Sequence, residues 1–194
     1  MKEASRSGDL VYDEKMVRPV RQWVETLVVG MNLCPFAKRE MVKNRVRFAT
    51  TTSITEEQLL MALQAELELL NTDPSVETTL LIHSGVLQDF CDYNRFLSYA
   101  DSLLVEMGLE GVYQIASFHP DYQFEGTKPD DVENYTNRSP YPMLHLIREA
   151  SLERVIADYP EVDQIPVRNI AIMNDLGQDK LQALLRSCLN DRDP

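Results

Sequence analysis

A chain of 194 residues with 44% hydrophobic and 26% charged residues has the composition of one folded domain, which argues against wholesale disorder. No apolar run reaches the roughly 18–20 residues that cross a bilayer, and Met1 to Asp9 lack an apolar signal core, so neither membrane insertion nor export is expected. Nineteen basic against thirty-one acidic residues give a net charge of −12, which would repel a long phosphate backbone and excludes nucleic acid as the expected partner.

Residues 1–12 show little pattern and are expected to form a disordered tail ahead of a single α/β domain over 13–194. From Asp13, Val17, Val20, Val24, Leu27, Val28 and Met31 recur at helical spacing, with Pro19 near the first turn and Gly30 near the end. A short helix is expected from Pro35, which would put Cys34 at its N-cap. β-Branched and aromatic residues predict a strand over Val46–Thr52. Thr55 and Gln58 form a capping box ahead of a leucine-rich helix that Asp73-Pro74 ends.

Thr78–His83 reads as a buried strand. Asp89 caps a helix closed by Gly108, and Val112–Phe118 is a third strand. Residues 119–141 form a loop too long to be a plain connector, rich in aromatics, with a possible hairpin strand at Tyr122–Phe124. Helices are then expected over Pro142–Asp158, from Pro166 to Gly177 and over Asp179–Asn190. The alternation predicts a small, mostly parallel sheet of three to four strands packed by helices, with a helical C-terminal extension.

In a parallel sheet the carboxyl ends of the strands share one rim, where ligands usually bind. His83 ends the second strand and His119 the third, with Asp121 beyond to orient an imidazole. The loop returns through Tyr135, Asn137 and Arg138 to the expected helix start, placing His145 in its first turn and Arg148 further along. Free amides at a helix start, together with an arginine, suit a carboxylate or phosphate, and a histidine there can act as acid or base. Arg138 and Asn137 can equally be ties that hold the long loop by hydrogen bonds to its backbone.

Cys34 at a helix start near Lys38 and Arg39 would have a lowered pKa and nucleophilic character; the alternative is a buried, inert thiol packed with Leu33 and Phe36. Lys38, Arg39, Lys43, Arg45 and Arg47 cluster with only Glu40 opposing them, a local patch better suited to a small anion than to a polymer. The three cysteines are widely spaced and form no disulfide framework, as in a protein of a reducing cytosol. Phosphate-binding glycine loops and the nucleophile-elbow motif are absent, which argues against nucleotide binding by those routes and against an ordinary α/β-hydrolase. No local spacing of metal ligands occurs, so a zinc or iron site would need the fold to gather His83, His119 and His145 with Asp121 or Glu149.

Three stretches, Gly30 to Ala37, Phe118 to Phe124 and Asn134 to Glu149, together resemble the domain-of-unknown-function 1415 family, mostly bacterial proteins of about this length. The resemblance spans nearly the whole chain and implies no activity, cofactor or catalytic residue. From the residues themselves the expectation is a cytoplasmic enzyme that binds a small anionic metabolite. His119 or His145 would be the acid–base residue, Asp121 the orienting group and Cys34 a candidate nucleophile. Arg138, Asn137, Tyr135, Arg148, His83, Lys38 and Arg39 would be the binding set. The alternatives are a non-catalytic adaptor whose acidic middle segment meets a basic partner, and a His/carboxylate metalloprotein. The cofactor is left unknown.

Overall fold

The computed structural model describes residues 10–157, 159 and 161–190. The expected tail is therefore seen only at its end, where Leu10–Val11 forms a short strand, β1. Helix α1 (Glu14–Trp23) opens on Asp13, whose carboxylate accepts from the Lys15 N–H, and continues into a π-helical segment, Val24–Val29, that ends at Gly30. Pro19 lies in the interior of α1 and not in its first turn. Helix α2 (Ala37–Val42) begins two residues later than Pro35 suggests. Then come β2 (Val46–Thr51), α3 (Glu56–Thr72), β3 (Thr78–His83), α4 (Phe90–Glu106) and β4 (Tyr113–Phe118). The expected caps are in place: Thr55 accepts from the Gln58 N–H, and Asp89 from the amides of Cys91 and Asp92.

The sheet differs from the expected one. It has five strands in the order β1-β2-β3-β5-β4, where β5 is Met143–Arg148. Among the described residues only β2 and β3 pair in parallel; β1–β2, β3–β5 and β5–β4 are antiparallel. The mostly parallel sheet of three to four strands is thus corrected to a mixed sheet in which antiparallel pairs predominate. The cause is one segment. Residues 143–148 were expected to begin a helix, and instead they fill the slot between β3 and β4. Apolar residues occur on both faces of the strand, so no two-residue alternation reveals it, and they run on in helical spacing into α5 (Glu149–Ala157). No strand forms at Tyr122–Phe124; the long loop is ordered instead around a 3-10 turn, Val132–Thr136. Helices α6 (Gln164–Leu176) and α7 (Gln178–Asn190) follow as the sequence suggests, while Asp158 lies outside the described residues.

Helices cover both faces. On the first face, Leu59, Leu63, Leu67 and Leu70 of α3 and Tyr93, Phe96, Ala100 and Leu104 of α4 pack on Ala49, Leu81, Leu144 and Leu146. Each fully buried leucine there contributes roughly 1.5–3 kcal/mol. On the second face, Val17, Val20 and Trp23 of α1 and Cys188 of α7 pack on Phe48, Leu80, Ile82 and Met143. Gly85 lets the loop after β3 touch the one after β2: a Cβ there would lie 2.6 Å from the Ser53 carbonyl oxygen.

Candidate functional site

His83 and His119 do meet at one rim, because β4 runs in the same direction as β3 with β5 between them. Both imidazoles are fully buried on the first face and flank the Tyr93 ring, at 6.0 Å and 5.1 Å between centroids. Their nitrogens are used by the backbone. His119 Nδ1 accepts from the Asp121 N–H at 3.0 Å, so Nε2 carries the proton and donates to the Leu87 carbonyl at 3.2 Å. Asp121 therefore orients this ring through its main chain and not its carboxylate. His83 Nδ1 bonds the Val86 carbonyl at 3.0 Å, and its buried Nε2 has no partner among the described residues. Desolvation lowers both pKa values, that of His83 to about 4. This rim is a packed polar network, and it leaves no His119 nitrogen free for proton transfer.

His145 is elsewhere. It sits in the middle of β5, opposite Leu80 on β3 and Ala116 on β4, and its side chain projects from the second face. The expected anion site, with His145 in the first turn of a helix beside Arg138, does not form. Arg138 instead bonds loop carbonyls, Nε to Tyr122 at 3.2 Å and Nη2 to Pro129 at 2.6 Å, and lies over the Tyr135 ring at 4.6 Å. Asn137 donates to the Ser117 carbonyl at 3.1 Å and accepts from the His119 N–H through its own carbonyl. Tyr135 is buried. These residues are the ties that hold the long loop. Asp121, Tyr135 and Arg138 do border a shallow depression with Arg186, but no histidine enters it.

Arg148 has a similar structural role. Its guanidinium reaches the carbonyls of Leu70, Asp73 and Val76 and the Tyr113 hydroxyl, closing the end of α3. With His83 and His119 on one face and His145 on the other, the three imidazoles cannot share an ion, and no group of three or more potential ligands occurs among the described residues.

The structure gathers a different site on the second face. Helix α7 covers only part of that face. Beneath the rest, between the sheet, the α1–π segment, residues 34–43 and α5, lies a cavity of about 700 Å³. Leu80, Ala116, Phe118 and Ile147 line it from the sheet, Trp23 and Val28 from α1 and its extension, and Leu152 and Val155 from α5. None of the residues of α2 or α5 is buried, so both walls have one apolar side turned to open space. Cys34 and His145 line this same cavity.

His145 Nε2 lies 2.7 Å from Thr78 Oγ1, whose hydroxyl donates to the Leu146 carbonyl. The single hydroxyl proton being spent, Nε2 must carry the imidazole proton. Desolvation holds the pKa of His145 at about 4, so the ring is neutral at physiological pH. Cys34 departs from expectation: burial raises its thiol pKa, and the N–H groups of Phe36 and Ala37 oppose this only in part. It precedes α2 by more than an N-cap position and is a protonated thiol, not a helix-activated nucleophile.

Five cations line the cavity (Arg39, Lys43, Arg45, Arg148 and Arg154) against two anions, Glu40 and Glu77. Arg45 is held by both carboxylates, at 2.6 Å from Glu40 and 3.0 Å from Glu77. Arg39, which also reaches Glu40 at 3.4 Å, Lys43 and Arg154 are exposed at the mouth, where cations outnumber carboxylates, whereas Lys38 is exposed and outside the lining. Thr78 and Trp23, central to this arrangement, carried no sequence signal of their own. The pairing register that sets Thr78 beside His145 could be read only once β5 was known to be a strand.

The family model described as a protein of unknown function, DUF1415, matches residues 15–183. No curated protein and no solved structure matches the chain.

Proposed function

The chain belongs to the DUF1415 family, and we propose that it is a cytoplasmic protein that binds a small anionic molecule with an apolar body in the cavity beside His145 and Cys34. One observation carries this reading: a largely apolar cavity of drug-sized volume has a positively charged mouth in a protein of net charge −12. The acidic bulk repels polyanions, while Arg39, Lys43 and Arg154 attract a single charged group. The charge rests at the solvated mouth, and the body of the ligand fills the space between α5 and the sheet. His145 is the acid–base group available there.

The test is a titration with anilinonaphthalene sulfonate, an apolar anion that fluoresces when desolvated. Saturable binding by the native protein is expected. Ala116→Trp, which fills the cavity from β4, is expected to abolish it, and Arg39→Glu with Lys43→Glu to weaken it severalfold. Undiminished binding to a folded Ala116→Trp variant overturns the proposal.

A further inference from the structure

The buried end of the cavity places a demand on its ligand that the charged mouth does not. His145 is fixed in one tautomer by a chain of contacts within the sheet: Nε2–H to Thr78 Oγ1 at 2.7 Å, then the Thr78 hydroxyl to the Leu146 carbonyl at 2.5 Å. That carbonyl accepts whichever way the histidine behaves, so the direction of the chain is set by the backbone. Nδ1 is then a lone-pair acceptor; no protein donor reaches it among the described residues, and it is not one of their fully buried unpartnered atoms, so it is open to the cavity that His145 lines. Its cross-strand neighbours, Leu80 and Ala116, are apolar and line the cavity with it, and the Phe118 ring stands 6.2 Å away. The groups nearest it in the sheet therefore offer it no donor.

We infer that the natural ligand is bifunctional: an apolar molecule with an anionic group held at the Arg39 and Lys43 mouth and a separate hydroxyl or N–H donor directed at His145 Nδ1. The inference rests on the reading of the cavity as an anion site and narrows its ligand class to hydroxy acids and their N–H analogues. An acceptor at that position would face the imidazole lone pair, and burial keeps the ring from protonating to accommodate it. A plain alkyl anion would leave Nδ1 desolvated without a partner.

The test is displacement of anilinonaphthalene sulfonate by two matched series, the alkyl carboxylates from hexanoate to dodecanoate and their ω-hydroxy counterparts. At the best-fitting length the hydroxy acid is expected to bind about three- to tenfold more tightly, the worth of one buried neutral hydrogen bond. The preference is expected to vanish in His145→Phe and to shrink in Thr78→Val, where the tautomer is no longer fixed. Nitrogen NMR of the native protein gives a second readout that needs no variant: Nε2 stays protonated, and the Nδ1 resonance shifts when a hydroxy acid binds but not when its parent does. Equal or weaker binding of every hydroxy acid, or an Nδ1 resonance indifferent to it, overturns the inference and leaves the anion site standing. If neither the dye nor any carboxylate binds, the anion site falls and the inference with it.

Discussion

Acid should destabilise this fold well above the range in which carboxylates titrate, and His83 is a principal reason. Its ring is fully buried, one nitrogen bonded to a carbonyl and the other unpartnered among the described residues, and desolvation takes its pKa from 6.5 to about 4. A folded-state value below the unfolded one means that the folded protein binds fewer protons through the interval between them. The stability is therefore complete above about pH 6.5 and is lost as pH falls towards about 4. By about pH 5 the loss from His83 alone is about 2 kcal/mol. His145, whose pKa desolvation likewise takes to about 4, and His119 act in the same direction. The assay is urea unfolding followed through Trp23, the sole tryptophan, at about pH 7 and about pH 5. His83→Asn keeps a side-chain N–H for the Val86 carbonyl and removes the titration. The variant should be less stable than the native protein at neutral pH, having lost its stack on Tyr93, yet lose about 2 kcal/mol less on acidification. The same pH slope in both proteins would refute the reasoning.

Three further substitutions separate structural from ligand-facing residues. Arg148→Ala should cost about 2–4 kcal/mol in urea unfolding, since it strips partners from the carbonyls at the end of α3 and from the Tyr113 hydroxyl; a loss under about 0.5 kcal/mol would contradict that role. Arg138→Ala should speed hydrogen exchange across residues 121–136 while leaving dye binding in the cavity unchanged, as expected of a loop tie. Among the thiols, exposed Cys91 should react with a maleimide before Cys34, whose burial raises its pKa, and bound dye should protect Cys34 alone. Faster labelling of Cys34 than of Cys91 would restore it as an activated cysteine.

Most local structure was legible because capping chemistry and periodicity are local. Thr55, Asp89, Gly108 and the leucines of α3 announce themselves within a few residues. What escaped was Met143–Arg148, whose state depends on distant partners: His145, in its middle, pairs with Leu80 and Ala116, 65 and 29 positions away in the chain. That single segment moved His145 from a helix start on the rim to the opposite face of the sheet. It also turned Arg138 and Arg148 from ligand residues into structural ones. The pairing of His83 with His119 survived because β3 and β4 run in the same direction whether or not a strand lies between them. The basic cluster at residues 38–47 is divided by the fold: Arg39, Lys43 and Arg45 line the cavity, Lys38 lies outside the lining, and Arg47 forms a bidentate pair with buried Glu66 of α3. The cavity itself arises where α7 leaves the second face uncovered and α5 crosses it, a relation between distant elements that no stretch of sequence encodes alone.

The most direct measurement is an NMR map of the amide and side-chain resonances that respond as anilinonaphthalene sulfonate is added. Binding in the cavity should move Trp23, Val28, Leu80, Ala116 and His145 together, with Arg39 and Lys43 at the mouth. Shifts confined to Asp121, Tyr135, Arg138 and Arg186, or to the outer surfaces of α3 and α4, would place the ligand elsewhere and contradict the proposed site.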